Sequence, residues 1–392
     1  MDKFSAPGKI LLLGGYSVLE KGNVGYVIAL DRRVRASAEA IDGGIVEIEM
    51  PQFNISASGE FDTVGWKIKL DSADEWQAQQ TKFARACIEN TLRYYASKGK
   101  KVRGIRVTAQ NDEGFTFKAG TLKSGFGSSA AATVSMTFAI ADALGVDALR
   151  ELRINHRLAQ YSHSSAQGKV GSGFDVACST FGTIKWQRYS PEFASGEIPQ
   201  TIDKTWDCNA EKVALPPGWI LEVGFTGKSA STSSMVKQLY EFKAKEPDAY
   251  SAYMKKINGE NLKAISALDE IGKFAKNDPK EYEKALAEPA SNPLLLKFHS
   301  SFVSGRELLK ELGEKSGVAI EPQELSGLIE IAEGRGAFCA KLPGAGGGDS
   351  VVAICFSKEG QASVRSAWKK LGITPIDVSA SSEGVKKDLH LI

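Results

Sequence analysis

Three glycine-rich turns, widely spaced along a chain of 392 residues, limit what this protein can fold into more than any other feature. The most telling is Lys123-Ser-Gly-Phe-Gly-Ser-Ser-Ala-Ala-Ala132. Gly125 and Gly127 permit positive φ and close backbone approach, and Ser128 and Ser129 stand where a helix should start. The alanines after them favour that helix. A helix N-terminus offers unpaired N–H groups and a partial positive charge, which suits a phosphate, and Lys123 adds a full charge at the mouth. No Walker A motif is present: Gly227-Lys228-Ser229 is the nearest approach, but Glu222 stands where the first glycine should be. Gly125, Gly127 and Ala130 match a variant dinucleotide fingerprint, but Asp147 follows in a turn that leads to a helix, which speaks against a nicotinamide site.

The second turn, Gly168-Lys-Val-Gly-Ser-Gly-Phe-Asp175, sets a carboxylate directly after glycines, where it can face a ligand. The third, Lys341-Leu-Pro-Gly-Ala-Gly-Gly-Gly-Asp349, has four glycines in five residues between two apolar strands. A plain hairpin rarely uses so many, because each carries a cost in chain entropy.

Around these turns the pattern is α+β. Short Val/Ile-rich strands are expected at Lys9–Leu13, Tyr26–Leu30, Val34–Ala40 and Ile45–Met50. Helices are expected over Trp76–Ser97, Ser128–Leu144 and Ala148–Ala166, with a strand at Val102–Gln110 between the first two. Pro191–Pro217 is turn-rich and marks a division into domains 1–215 and 216–392. Beyond it lie a strand at Trp219–Phe225, several helices, and a closing series of Leu325–Glu333 helix, Gly336–Lys341 strand, Val351–Phe356 strand and Lys358–Leu371 helix.

Composition narrows the function. Lys plus Arg total 49 and Asp plus Glu 47, so nothing in the overall charge draws the chain to nucleic acid or a membrane surface. The five cysteines form no CxxC pair, which fits reduced thiols in the cytoplasm better than a disulfide framework or zinc site. No apolar run approaches the ~20 residues of a membrane span, and Ile10–Leu13 is too short for a signal peptide. No G-x-S-x-G elbow is present for a serine hydrolase. His156 and His163, seven apart with no acid nearby, read as helix packing, and the lysine-rich helices from Lys237 to Lys284 as solvated faces.

The order and spacing of the turns resemble the GHMP small-molecule kinases. Ala6-Pro-Gly-Lys-Ile10 with Leu13-Gly-Gly15 is similar to that family's first motif, Lys123–Ala131 to its ATP-phosphate loop, and Lys341–Asp349 to its third motif. Finer features resemble the branch that acts on 5-phosphomevalonate. These are the Lys-Ser-Gly opening of the loop, Gly168–Ala177 with Gly182–Tyr189, Gly227–Met235 and Glu321–Leu325. The resemblance implies a two-domain α+β fold, a ribosomal S5 domain 2-like N-terminal domain plus a ferredoxin-like C-terminal domain, with ATP between them. It implies transfer from ATP to 5-phosphomevalonate, giving 5-diphosphomevalonate, with Mg2+. A mevalonate kinase or another hydroxyl-directed relative is the alternative, and a monomer or homodimer is expected.

The resemblance further implies that Lys123, Ser124, Gly125, Phe126, Gly127, Ser128, Ser129 and Ala130 bind ATP, and that Ser129 is also a metal ligand. Ser172, Ala345, Gly346 and Gly347 are implied on the acceptor side. Phe126 stands where the family usually has Leu, and Ser164 where some relatives carry a magnesium-binding glutamate. Chemistry refines the reading. A phosphate monoester has a second pKa of ~6, so at neutral pH it is already an anion and needs cations rather than a base. Lys9 and Asp175 are the catalytic candidates, Lys9 offsetting charge at the transferring group and Asp175 orienting Lys9 or the acceptor. Lys185 or Arg188, on opposite faces of a strand, would hold the acceptor's phosphate.

Overall fold

The computed structural model describes residues 2–71, 74–117, 122–168, 171–228, 231–348 and 350–388. The chain opens with β1 (Lys3–Leu13) and the long β2 (Val24–Ile41), then β3 (Ile45–Met50), β4 (Ile55–Asp62) and β5 (Lys67–Leu70). Helix α1 (Glu75–Ser97) leads to β6 (Gly104–Asn111), the short pair β7 (Thr116–Phe117) and β8 (Leu122–Lys123), and α2 (Ser128–Ala143). Next come α3 (Leu152–Gln167), α4 (Phe174–Phe181), β9 (Ile184–Gln187), α5 (Gln200–Asp203) and β10 (Asn209–Lys212). The second half runs β11 (Ile220–Phe225), α6 (Thr232–Lys245), α7 (Pro247–Asn277), α8 (Pro279–Ala287), α9 (Pro293–Ser316), α10 (Gln323–Glu333), β12 (Ala337–Lys341), β13 (Ser350–Cys355), α11 (Lys358–Lys370), β14 (Thr374–Ile376), β15 (Ala380–Ser381) and β16 (Lys386–Asp388).

The large sheet has the order β10-β9-β2-β6-β3-β4-β5, with β1, β15 and β16 attached through β2 and β1. The two strands expected at Tyr26–Leu30 and Val34–Ala40 are one continuous β2. Charged Asp31–Arg32–Arg33 interrupts the apolar pattern, but the ladder runs through it because β1 pairs on both sides, Lys9 with Ala29 and Pro7 with Arg33. The register shift between Pro7 and Lys9 is a bulge, where Pro7 cannot donate and Gly8 lies against the Phe115 ring.

Helix α2 is buried almost all round, from Ala130 to Ala141, which explains its lack of a polar face. It packs on β1 and β2 and is covered by α1 and α3. The small sheet, β12-β13-β11-β14, is antiparallel and buried on both faces. Val351, Ala353 and Cys355 join the cluster of Leu328, Ile329, Val364 and Trp368 from α10 and α11. The alternate residues Val352 and Ile354 face the cluster that holds α7 and α9. A strand buried on both faces reads as a continuous apolar run, as SVVAIC does. Each large side chain fully buried this way contributes about 1.5–3 kcal/mol over leaving it exposed.

Two features escaped the sequence pattern. Residues 380–388 leave the small sheet and return to the large one, Ala380 opposite Leu30 and Lys386 opposite Ser5. These strands are too short and too charged to show periodicity. Likewise β9 is only four residues long, too short for alternation to register. The five cysteines are unpaired thiols. Among the described residues no helix is long and apolar enough to cross a membrane.

Candidate active site

The bulge in β1 aims Lys9 at the first glycine-rich turn, Lys123–Ala132. Its backbone N–H donates to the Phe126 carbonyl (2.9 Å) and its ammonium donates to the Gly125 carbonyl (2.7 Å). The ammonium also lies 5.5 Å from the centre of the Phe174 ring, one residue before Asp175. Gly127 has φ +75°, and a Cβ there would stand 2.8 Å from Lys9 Cε, so both backbone and approach demand glycine. The Phe126 ring turns into the core, edge-to-face on Phe115. With its ring buried, Phe126 lines the cleft through its backbone.

At the start of α2, the amides of Ser128, Ser129 and Ala130 precede the first intrahelical bond, which Ala131 makes to Gly127. Ser128 and Ser129 line the cleft. The Ala130 methyl is buried, and the Ser124 hydroxyl is turned inward to the Phe115 carbonyl (3.1 Å). Those two residues offer the cleft no side chain. The Lys123 side chain lies outside the described residues.

Asp175 sits in the first turn of α4. One carboxylate oxygen accepts from the Val176 N–H (2.9 Å), and the group is 19% exposed toward the cleft. Gln160 holds the turn before it, donating to the Gly173 carbonyl (2.8 Å). Sequence reasoning gave His163 no role, yet its Nε2 lies 3.2 Å from Ser129 Oγ and 4.0 Å from Asp175 Oδ2. Its ring is stacked on Phe83 at 5.0 Å. Burial lowers its pKa from the usual value, partly opposed by Asp175, so the imidazole is neutral at pH 7. No local signal marks His163, because the contact depends on α3 packing beside α2. His156, by contrast, is enclosed by Phe181, Trp186 and Gln160, and burial pulls it down to about 3.

Ser172 lines the cleft with its hydroxyl buried and without a partner among the described residues, while its carbonyl accepts from Trp186 (3.1 Å). Arg188 is buried behind that wall. It donates to the carbonyls of Leu19 and Gly171, both cleft residues, and its Nε has no partner among the described residues. The structure does not bring Lys185 there. Its ammonium is paired with Asp269 (2.7 Å) and Glu211 (3.0 Å). The two cations do point apart, as their positions three residues apart imply.

The third turn closes the opposite wall, where Pro343, Gly344, Ala345 and Gly346 line the cleft. Its backbone is held by the protein itself. Tyr16 donates to the Ala345 carbonyl (3.0 Å), and Gly347 N–H donates to the Ile320 carbonyl (2.9 Å), away from the cleft. Lys341 is buried with its ammonium on the Leu12 carbonyl (3.1 Å), and burial lowers its pKa to about 8. Asp349 lies outside the described residues. Asn261 of α7 binds both the N–H and the carbonyl of Gly14, fixing the first motif.

The cleft therefore joins two helix N-termini, an ammonium and a carboxylate, a set that gathers anions. It holds about 1330 Å³ of empty space, open solvent included. Among the described residues no group of three or more His, Cys, Asp and Glu could hold a metal alone. The Ser129 hydroxyl and Asp175 carboxylate are hard oxygen donors, which fit magnesium if waters and phosphates complete its shell.

Such a fold and cleft define a small-molecule phosphotransferase. The GHMP kinase N-terminal domain model matches residues 83–183 and the GHMP kinase C-terminal model residues 273–374, together just over half the chain. The chain belongs to the GHMP kinase family. Within it, the chain is 32% identical over 388 residues to the phosphomevalonate kinase of Saccharolobus solfataricus, covering 98% of this chain and 99% of that protein. It is 26% identical to the peroxisomal phosphomevalonate kinase of Arabidopsis thaliana, covering 97% and 95%. Its fold matches a Streptococcus pneumoniae phosphomevalonate kinase, solved in complex with phosphomevalonate and AMPPNP, with TM-score 0.75 and 18% identity over 97% of this chain and 100% of that one.

Proposed function

We propose that this chain transfers the γ-phosphoryl group of ATP to 5-phosphomevalonate, giving ADP and 5-diphosphomevalonate. The observation that carries this reading within the cleft is the buried, unpartnered Ser172 hydroxyl backed by the Arg188 guanidinium. A donor and a cation without a full set of partners suit an acceptor that arrives as an anion.

In this reading the amides at the start of α2 hold the ATP phosphates, as helix N-termini do. Lys9, tied to the loop carbonyl at Gly125, stands at the junction of donor and acceptor and offsets the charge of the transferring group. An oxygen of the acceptor's phosphate attacks the γ-phosphorus as the bond to the β,γ-bridging oxygen breaks, and ADP leaves with that electron pair. The acceptor needs no base, so Asp175 orients, while the Ser172 hydroxyl and the Arg188 charge hold the acceptor. Ser129 and Asp175 would hold magnesium, which when bound neutralises phosphate charge. Ala345 and Gly346 bound the acceptor side. The chain divides near residue 215, and strands 380–388 cross back to the large sheet.

A coupled assay of ADP release tests the reading. Turnover with 5-phosphomevalonate should exceed turnover with mevalonate by orders of magnitude. The reverse preference would make the chain a hydroxyl-directed kinase.

A further inference from the structure

His163 belongs to no motif, yet it stands between the two oxygen donors of the cleft that come from different helices. Its Nε2 is within hydrogen-bond distance of Ser129 Oγ (3.2 Å) and beyond it for Asp175 Oδ2 (4.0 Å), so the nitrogen is committed to the serine. The ring cannot easily turn away. It is 4% exposed and stacked on Phe83 with 25° between the planes. Ser129 has its own carbonyl occupied by the Thr133 hydroxyl (2.8 Å). A serine hydroxyl at a helix start otherwise rotates among three wells, only some of which aim its lone pairs outward.

We propose that His163 is a positioning residue for Ser129: its Nε2 accepts a hydrogen bond from the Ser129 hydroxyl and so turns the oxygen's lone pairs toward a divalent cation carried in with the nucleotide. This rests on the reading of the cleft as an ATP site. It requires the tautomer with the proton on Nδ1, and it assigns His163 no contact with substrate or metal. The effect is pre-organisation, since a hydroxyl already aimed loses no rotational freedom on binding.

The test compares nucleotide affinity with magnesium and with EDTA, measured by calorimetry. In the wild type, magnesium should tighten ATP. His163→Phe keeps an aromatic ring against Phe83 but deletes Nε2. It should lose about five- to tenfold of that magnesium-dependent gain, the scale of one hydrogen bond, with affinity for metal-free ATP within about twofold of wild type. His163→Gln, which restores an acceptor, should recover most of the gain. In a Ser129→Ala background the His163→Phe change should add nothing, because the two act through one contact. An unchanged magnesium gain in His163→Phe, or full additivity with Ser129→Ala, would overturn the proposal. Should the Phe variant fail to fold, nitrogen NMR of the wild-type histidines decides it. Nε2 of His163 must be the unprotonated, hydrogen-bonded nitrogen, and its signal must move in Ser129→Ala; a protonated Nε2 sinks the idea. A wild type that binds no ATP under either condition would instead break the functional reading, while the NMR result would still judge the Ser129 contact.

Discussion

In the turn before α2, Gly127 clears space for the side chain of Lys9; in the turn between β12 and β13, Gly346 clears space for a carbonyl of the protein itself. A Cβ at the first would stand 2.8 Å from Lys9 Cε, and at the second 2.0 Å from the Ile320 oxygen. Both turns are glycine-rich and both line the cleft, but they use their backbone differently. The first leaves its amides to the cleft and carries its carbonyl to a cation. The second directs an amide to Ile320 and a carbonyl to Tyr16. It is a wall docked on Leu11 of β1 and on Ile320, the residue before the Glu321 that pairs with Arg306. Glycine density marks close backbone approach; what approaches decides whether the turn handles a ligand or seals a seam.

The sharpest way to break this contrast is at Lys9. Lys9→Met should lower kcat by about 10²–10³-fold, the scale of removing one pre-organised charge-stabilising donor, with circular dichroism unchanged. Retained turnover would remove the cation from the first turn's role. Asp175→Asn comes next. If Asp175 orients rather than abstracts a proton, the residual rate should stay flat with pH above ~6, where the acceptor is a dianion. A rate that climbs with pH would restore a base.

The glycines themselves sharpen the comparison. Gly127→Ala should depress activity tens-fold by displacing Lys9. Gly346→Ala should instead lower stability by ~2 kcal/mol, combining left-handed φ with a clash against backbone, and should lower Tm more than it lowers kcat at permissive temperature. Equal effects in both assays for both variants would erase the distinction. Smallest is a pH effect from the buried wall. The Lys341 pKa falls to about 8 on folding, below the ~10.4 of the unfolded chain, so between these values the unfolded state binds more protons. Stability attributable to Lys341 should therefore rise from pH 8 to pH 10. Measured by thermal melts, any advantage of Lys341→Met at pH 7 should shrink over that window.

Much of this is legible in the sequence. The helix at Ser128, the SVVAIC strand and the three turns are written in local chemistry: glycine for positive φ, small residues for a buried helix, an apolar run for a strand covered on both faces. What the sequence could not display depends on partners far along the chain. Asn261 bridges Gly14 across 247 residues, and His163 reaches Ser129 only through helix packing. Lys185 looked as available as Arg188, and the placement of Asp269 on α7 and Glu211 on β10 separates them.

The strand that carries Lys9 is bordered at its outer edge by Lys386–Asp388, paired with Lys3–Ser5. During synthesis those residues emerge hundreds of positions after their partner. Until they arrive, β1 has β2 as its one strand neighbour among the described residues, so the ladder that carries Lys9 is completed only by the far end of the second half of the chain.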